Sequence, residues 1–244
     1  MSLLTRLLFP PKCSACGEIL DWYEEKDRPK ALCSDCMKQW ENEKLDVCGS
    51  CGKRVTACEC VTEELQRARC ATFRKLVFYR HGKGERVQNR LIFHIKKKGD
   101  RQTVGFLAEE LLPALQTLSD GAKAPVLTYV PRSLGARLEY GVDQARELAN
   151  ALSTLSGIPC RRLLTRNIGR RPSQKGLSAE ERVRNAKRTF RLCKNVVLRG
   201  KRVILVDDIV TTGATAAACV RLLRRAGALE VFCLAPASDD VNQN

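Results

Sequence analysis

The chain has 244 residues, 44% hydrophobic and 5% aromatic, with 43 Lys and Arg against 27 Asp and Glu for a formal charge of +16, and 13 cysteines. That hydrophobic fraction excludes a disordered tail, and the length suits one substantial core, or one core with a small annex. No apolar run reaches the roughly 18 to 20 residues that cross a bilayer, and Leu3 to Phe9 is broken by Arg6 and closed by Pro10 and Pro11, so neither a membrane span nor a signal peptide is expected and the chain is placed in the cytoplasm.

From the N-terminus, eight of the cysteines come first, as Cys13-x-x-Cys16, Cys33-x-x-Cys36, Cys48-x-x-Cys51 and Cys58-x-Cys60. A CxxC turn aims two thiolates at one point, and two turns complete the tetrahedral shell that Zn²⁺ prefers. Gly17, Gly49 and Gly52 flank the pairs, where a tight turn needs backbone freedom. Disulfides are the rival reading, disfavoured in a reducing compartment. The natural grouping is two structural zinc sites, Cys13/Cys16/Cys33/Cys36 and Cys48/Cys51/Cys58/Cys60. An interleaved pairing stays open, because Cys58 and Cys60 stand only two apart. The other five cysteines (70, 160, 193, 219 and 233) lie among apolar residues and read as small buried hydrophobes. Residues 1–66 therefore form a cysteine-rich module and 67–244 a second domain.

Ala71 to Arg80 reads as a strand, Glu85 to Lys97 and Val104 to Leu118 as helices, Pro125 to Val130 as a strand, and Asp143 to Leu155 as a helix. Residues 161–202 hold 15 Lys and Arg against 2 acids, a local charge of +13 that favours an anionic partner. Within it a basic loop over 169–176 leads to the capping-box pattern Ser178-x-x-Glu181. Arg202 to Val206 is the most hydrophobic strand. A turn from Asp207 to Thr215 follows, then a helix to about Ala226 stopped by Gly227, and a strand from Glu230 to Ala235. Alternating strands and helices make the fold α/β, a mostly parallel, doubly wound sheet behind the zinc module. Ligands of such sheets sit beyond the carboxyl ends of the strands.

The turn after residue 206 carries the chemistry. Asp207 and Asp208 emerge where a buried strand ends, and Thr211, Thr212, Gly213, Ala214 and Thr215 lead straight into a helix N-terminus. Unpaired amides and hydroxyls there can hold a phosphate, while the carboxylates accept from sugar hydroxyls or contact Mg²⁺ through water. Taken alone, each half reads as a cap or a solvated turn. In one uninterrupted strand, turn and helix they read as a sugar-phosphate site.

Val203-Ile-Leu-Val-Asp-Asp-Ile-Val-Thr-Thr-Gly-Ala-Thr215 resembles the phosphoribosyl-pyrophosphate (PRPP) binding motif of type I phosphoribosyltransferases. A zinc-ribbon block opened by Leu8-Phe9-Pro10-Pro11 and followed by such a domain resembles the ComF/GntX family of bacterial competence-associated proteins. Further echoes are Ile95 to Asp100, Val130-Pro131 with Gly141-x-Asp143-Gln144, and Gln174-x-x-Leu177-Ser178-x-x-x-Arg182-x-x-Asn185. The family's frequent Arg before the glycine and aromatic-Asn after it are replaced by Tyr140, Val142 and Asp143. The resemblance implies that Asp207 and Asp208 contact the ribose hydroxyls and act in catalysis, that residues 211–215 cradle the 5′-phosphate, that Arg132 and Ser133 lie in a pyrophosphate loop, and that the basic loop near 170–185 is a closing flap. Arg170, Arg171, Lys175 and Arg182 are then candidate pyrophosphate or nucleic-acid contacts. Mg²⁺ accompanies PRPP, and single-stranded DNA and other competence proteins are expected partners in natural transformation. Whether the domain transfers phosphoribose to a nitrogen acceptor or only binds the ligand stays open at this point.

Overall fold

The computed structural model describes residues 8–20, 31–80, 86–98, 100–121, 124–133, 141–167 and 189–239. Its elements in chain order are helix α1 (Ser34–Glu43), a 3₁₀ turn (Val55–Ala57), α2 (Glu63–Arg67), strand β1 (Thr72–Tyr79), α3 (Val87–Lys98), α4 (Arg101–Ser119), β2 (Val126–Tyr129), α5 (Gln144–Ser156), β3 (Leu164–Arg166), β4 (Phe190–Leu192), β5 (Arg202–Val206), β6 (Ile209–Val210), α6 (Ala214–Arg225) and β7 (Glu230–Asp239).

β1, β7, β5 and β2 lie side by side in that order, all in parallel, and β6 pairs with the far end of β7. β5 shows why the sheet is covered on both faces. Ile204 and Val206 enter one core with Leu107 and Leu111 of α4 and Leu148 of α5, whereas Val203 and Leu205 enter the other with Ala217, Val220 and Leu223 of α6. Period-two alternation with both faces apolar is the signature of a strand buried between two helical layers. Of the five further cysteines, Cys70, Cys219 and Cys233 are buried in the α6-side core or beside it, and Cys160 and Cys193 are half-buried.

The cysteine-rich segment packs on this sheet at two places. The first ribbon lends Cys13, Ala15, Cys36 and Trp40 to the same core as α4, with Trp40 edge-on to Phe106 (centroids 5.5 Å apart, 62° between planes) and its Nε1 donating to Glu110 at 2.9 Å. The second ribbon covers β1, an edge strand that would otherwise stand unprotected. There Arg74 donates to the carbonyl of Thr56 at 2.9 Å, and Phe78 clusters with Cys48, Val55 and Cys58.

Strands and helices lie within a few residues of their expected ends, save that β7 runs to Asp239 instead of Ala235. β6, the antiparallel β3–β4 hairpin, α1 and α2 are additions. No helix among the described residues is long and apolar enough to cross a membrane.

Candidate functional site

Asp207 and Asp208 stand at the carboxyl end of β5, where the chain leaves its ladder. The amide of Asp207 still donates to the Leu234 carbonyl at 3.1 Å, and the Asp208 amide turns back to the Asp207 carboxylate at 2.9 Å. Two residues later β6 rejoins β7, so Ile209 and Val210 are fixed and the following loop is delivered to the start of α6. Gly213 opens that helix at φ +79°, a conformation in which a side chain is strained. The Ala217 amide then closes the first turn on the Gly213 carbonyl at 2.8 Å.

These residues line a cavity of about 230 Å³ with Thr211, Thr212, Ala214, Thr215, Val130, Pro131, Arg132, Asp143, Gln144 and Arg166. Of the expected ligand contacts, Asp207, Asp208, the 211–215 turn and Arg132 therefore meet at one place, while Ser133 is not part of the cavity wall. Arg170, Arg171, Lys175 and Arg182, with the capping box at 178–181, lie outside the described residues.

The wall also carries residues that the motif does not contain. Asp143 precedes α5 and accepts from the Arg132 amide at 3.3 Å, and Gln144 accepts from the Arg132 guanidinium while donating to the Lys96 carbonyl at 2.7 Å. Gln144 thus fixes the Arg132 side chain to two helices. Arg166, at the end of β3, stacks over Phe190 of β4 at 5.3 Å and brings a second cation to the cavity. Its only sequence signal was membership of the basic stretch.

Burial, and then the Asp208 carboxylate beside it, push Asp207 well above the usual carboxylate range, against the opposing pull of the Asp208 amide and of the Lys96 charge. A cation or hydroxyl donors brought into the cavity would offset that cost at Asp207.

Eight thiols gather in the two groups of the natural grouping, Cys13/Cys16/Cys33/Cys36 and Cys48/Cys51/Cys58/Cys60, each with its sulfurs within 4.8 Å of one another. Four thiols within reach of one another suit a closed tetrahedral zinc site. Each begins with a tight turn, the Gly17 amide donating to the Cys13 carbonyl at 2.9 Å and the Gly52 amide to Cys48 at 2.8 Å. Burial raises the Cys13 and Cys48 thiols, but amides aimed at the sulfurs, from Cys16, Cys33 and Ala15 in one and Cys51 and Ser50 in the other, bring each down to about 7. At these two cysteines that favours the thiolate form that metal requires, whereas burial pushes Cys16 up to about 11 and Cys60 up to about 12, and raises Cys36 and Cys58 as well.

Residues 4–72 match the double zinc ribbon domain and residues 138–242 the phosphoribosyl transferase domain. Over 224 residues the chain is 27% identical to competence protein F of Haemophilus influenzae, covering 91% of this chain and 82% of that protein. The chain is thus similar to competence protein F along nearly its whole length. A 64-residue stretch is 45% identical to the DNA utilization protein YhgH of Escherichia coli, 25% of this chain and 27% of that one. A 31-residue stretch is 58% identical to the adenine phosphoribosyltransferase of Mycobacterium avium, 13% of this chain and 17% of that enzyme. The chain thus places a double zinc ribbon ahead of a phosphoribosyl transferase domain.

Proposed function

We propose that the chain binds PRPP or a related ribose 5-phosphate in the cavity at the end of β5, and that it does so in the handling of imported single-stranded DNA. The observation that carries the first half is the convergence of Asp207, Asp208 and the 211–215 turn with Arg132 and Arg166 on one cavity. In this reading Asp207 and Asp208 accept from the ribose 2′- and 3′-hydroxyls. The amides opening α6 and the Thr211, Thr212 and Thr215 hydroxyls hold the 5′-phosphate, favoured by the positive end of the helix dipole. Arg132, steadied by Gln144, and Arg166, steadied by Phe190, face the remaining phosphates. The cavity is smaller than the ~300–1,000 Å³ of drug-sized sites, which suits a sugar phosphate better than a dinucleotide. Acidic oxygens of the pair fit a hard cation, and Mg²⁺ bound with PRPP would share the charge of its pyrophosphate.

Support for the second half comes from the relatives named for competence and DNA utilization, together with the +13 charge of residues 161–202. Neutralising several DNA phosphates would give affinity that falls steeply with salt.

Calorimetric titration with PRPP tests the site. Asp207→Asn/Asp208→Asn should lose about 100-fold or more, as expected for two hydrogen bonds to charged acceptors at ~1.5–3 kcal/mol each; unchanged affinity would show that the site is wrongly assigned. A single-stranded DNA titration at two salt concentrations tests the partner, and no binding at low salt removes it.

Phosphoribosyl transfer is the second reading, favoured by the intact acidic pair and by the similarity to an adenine phosphoribosyltransferase. The C1′–oxygen bond would break, pyrophosphate would depart, and a nitrogen nucleophile would take C1′. Pyrophosphate release across a panel of bases and amines decides it, and a blank panel with PRPP still bound leaves a binding protein.

A further inference from the structure

The last thiol of the second ribbon and the phosphate loop lie close together in the chain's own architecture. Cys60 is held at both ends of its residue. Its sulfur belongs to the second four-cysteine group, and its carbonyl accepts from Lys75 Nζ at 3.4 Å. Lys75 is only 4% exposed, donates to Cys58 Sγ at 3.2 Å, and sits over the Phe73 ring at 4.9 Å, so the end of the ribbon is fastened to β1. Val61 then packs against the α6-side core, and Thr62, buried, begins α2.

The Thr62 side chain fills the space behind Gly213. A Cβ added at Gly213 would overlap Thr62 Oγ1 and lie 3.3 Å from Leu65 Cγ. Thr62 Oγ1 also accepts from the Leu65 amide at 3.4 Å, which fixes its rotamer and caps α2. Leu65 is fully buried against α6, and Glu64 reaches Arg221 of that helix at 4.0 Å. Protein interiors are close-packed and transmit displacement, so a shift at Cys60 reaches the loop two residues later.

We infer that Thr62 is a positioning residue for the phosphate loop, and that through it zinc in the second ribbon and ligand in the β5 cavity favour each other. The inference rests on the ligand reading above. It assigns the second ribbon a role beyond fold stability: holding the back wall of the ligand site. Coupling of this kind is reciprocal, so ligand must retain the second zinc to the degree that the zinc improves ligand binding.

Two measurements test it. In PRPP titrations, Gly213→Ala should lose about tenfold or more, the cost of roughly 1.4 kcal/mol or above. Thr62→Ala should lose about threefold to tenfold, and Thr62→Ser, which keeps the oxygen and the cap, should stay within about twofold of the parent. The double variant Gly213→Ala/Thr62→Ala should bind more tightly than Gly213→Ala alone, because the overlap is removed; strictly additive losses overturn the contact. Rescue by a second substitution cannot arise from general unfolding.

In the second measurement, chelator-driven zinc release is followed with and without saturating ribose 5-phosphate, which lacks a pyrophosphate that could itself take metal. One of the two zinc ions should leave several-fold more slowly with ligand, and Thr62→Ala should abolish the difference. Slowing of both ions alike, or of neither, overturns the coupling. A parent chain that binds no PRPP defeats the ligand reading and this inference with it, whereas a parent that binds and Thr62 variants that bind equally defeat the inference alone.

Discussion

Asp207 is a residue whose functional placement costs the free protein stability. Its carboxyl is raised by burial and by Asp208, from an ordinary value of 3.8. An acid whose folded pKa exceeds its unfolded one binds more protons when folded, so its contribution to stability falls as pH climbs from near 4 through the raised value and is gone above it. Asp207→Asn keeps an acceptor for the Asp208 amide and removes the charge. At neutral pH it should raise Tm by about 2–4 °C, equivalent to roughly 1 kcal/mol in a chain of this size. The gain should shrink toward zero near pH 4, while PRPP affinity falls. Thermal melts across pH 4 to 8 check the sign, and a variant less stable than the parent at pH 7 contradicts the burial argument. The acidic pair and the threonine turn were legible because one unbroken stretch holds both. Arg166 was not, since nothing local separates it from its basic neighbours; only pairing of β3 with β4 stacks it on Phe190 and presents it to the cavity.

At the scale of elements, periodicity found the long ones. α4 and α5 place apolar residues every three or four positions along a buried face, and β5 is short, apolar and continuous. β6, with two residues, and β3 and β4, with three each, are too short to show a period and exist through non-local pairing. α1 was hidden because the cysteine spacing dominates the reading of residues 33–36. β7 continues past Ala235, its expected end, through Pro236, which lacks a ladder donor. The register explains how the strand continues: Val206 pairs with Leu234 and Ile209 with Ala237, so Pro236 falls opposite the gap where Asp207 and Asp208 leave the sheet. The missing N–H and the departure of the cavity-lining turn occupy the same place, and the proline relieves the ladder where the chain steps out.

For the whole molecule, the question is whether the ribbons melt as separate modules. The core argues that they do not. Cys13, Ala15, Leu32, Cys36 and Trp40 share one apolar cluster with α3, α4 and α5, and Ser14 donates to Asp100, which itself caps α4 through the amides of Gln102 at 3.3 Å and Thr103 at 3.2 Å. The second ribbon is equally committed, since Phe78 of β1 lies in its small core and Lys75 of the same strand binds its sulfur. Structural zinc in finger-sized peptides is worth an apparent ~10–16 kcal/mol, comparable with the ~5–15 kcal/mol net stability of a whole domain. Stripping both ions should therefore lower the stability of the transferase fold itself. Scanning calorimetry of the zinc-loaded chain should show one transition, and after dialysis against a strong chelator that transition should move down as a unit by more than about 10 °C, given the ~2–4 °C per kcal/mol of a chain this size. An independent ribbon would behave differently. Its loss would leave a transition at the original temperature, and that residual peak would sink the shared-core account. Tryptophan fluorescence gives a second view of the same event, because Trp40 is 1% exposed between the first ribbon and Phe106, and its environment should change with the global transition and not ahead of it.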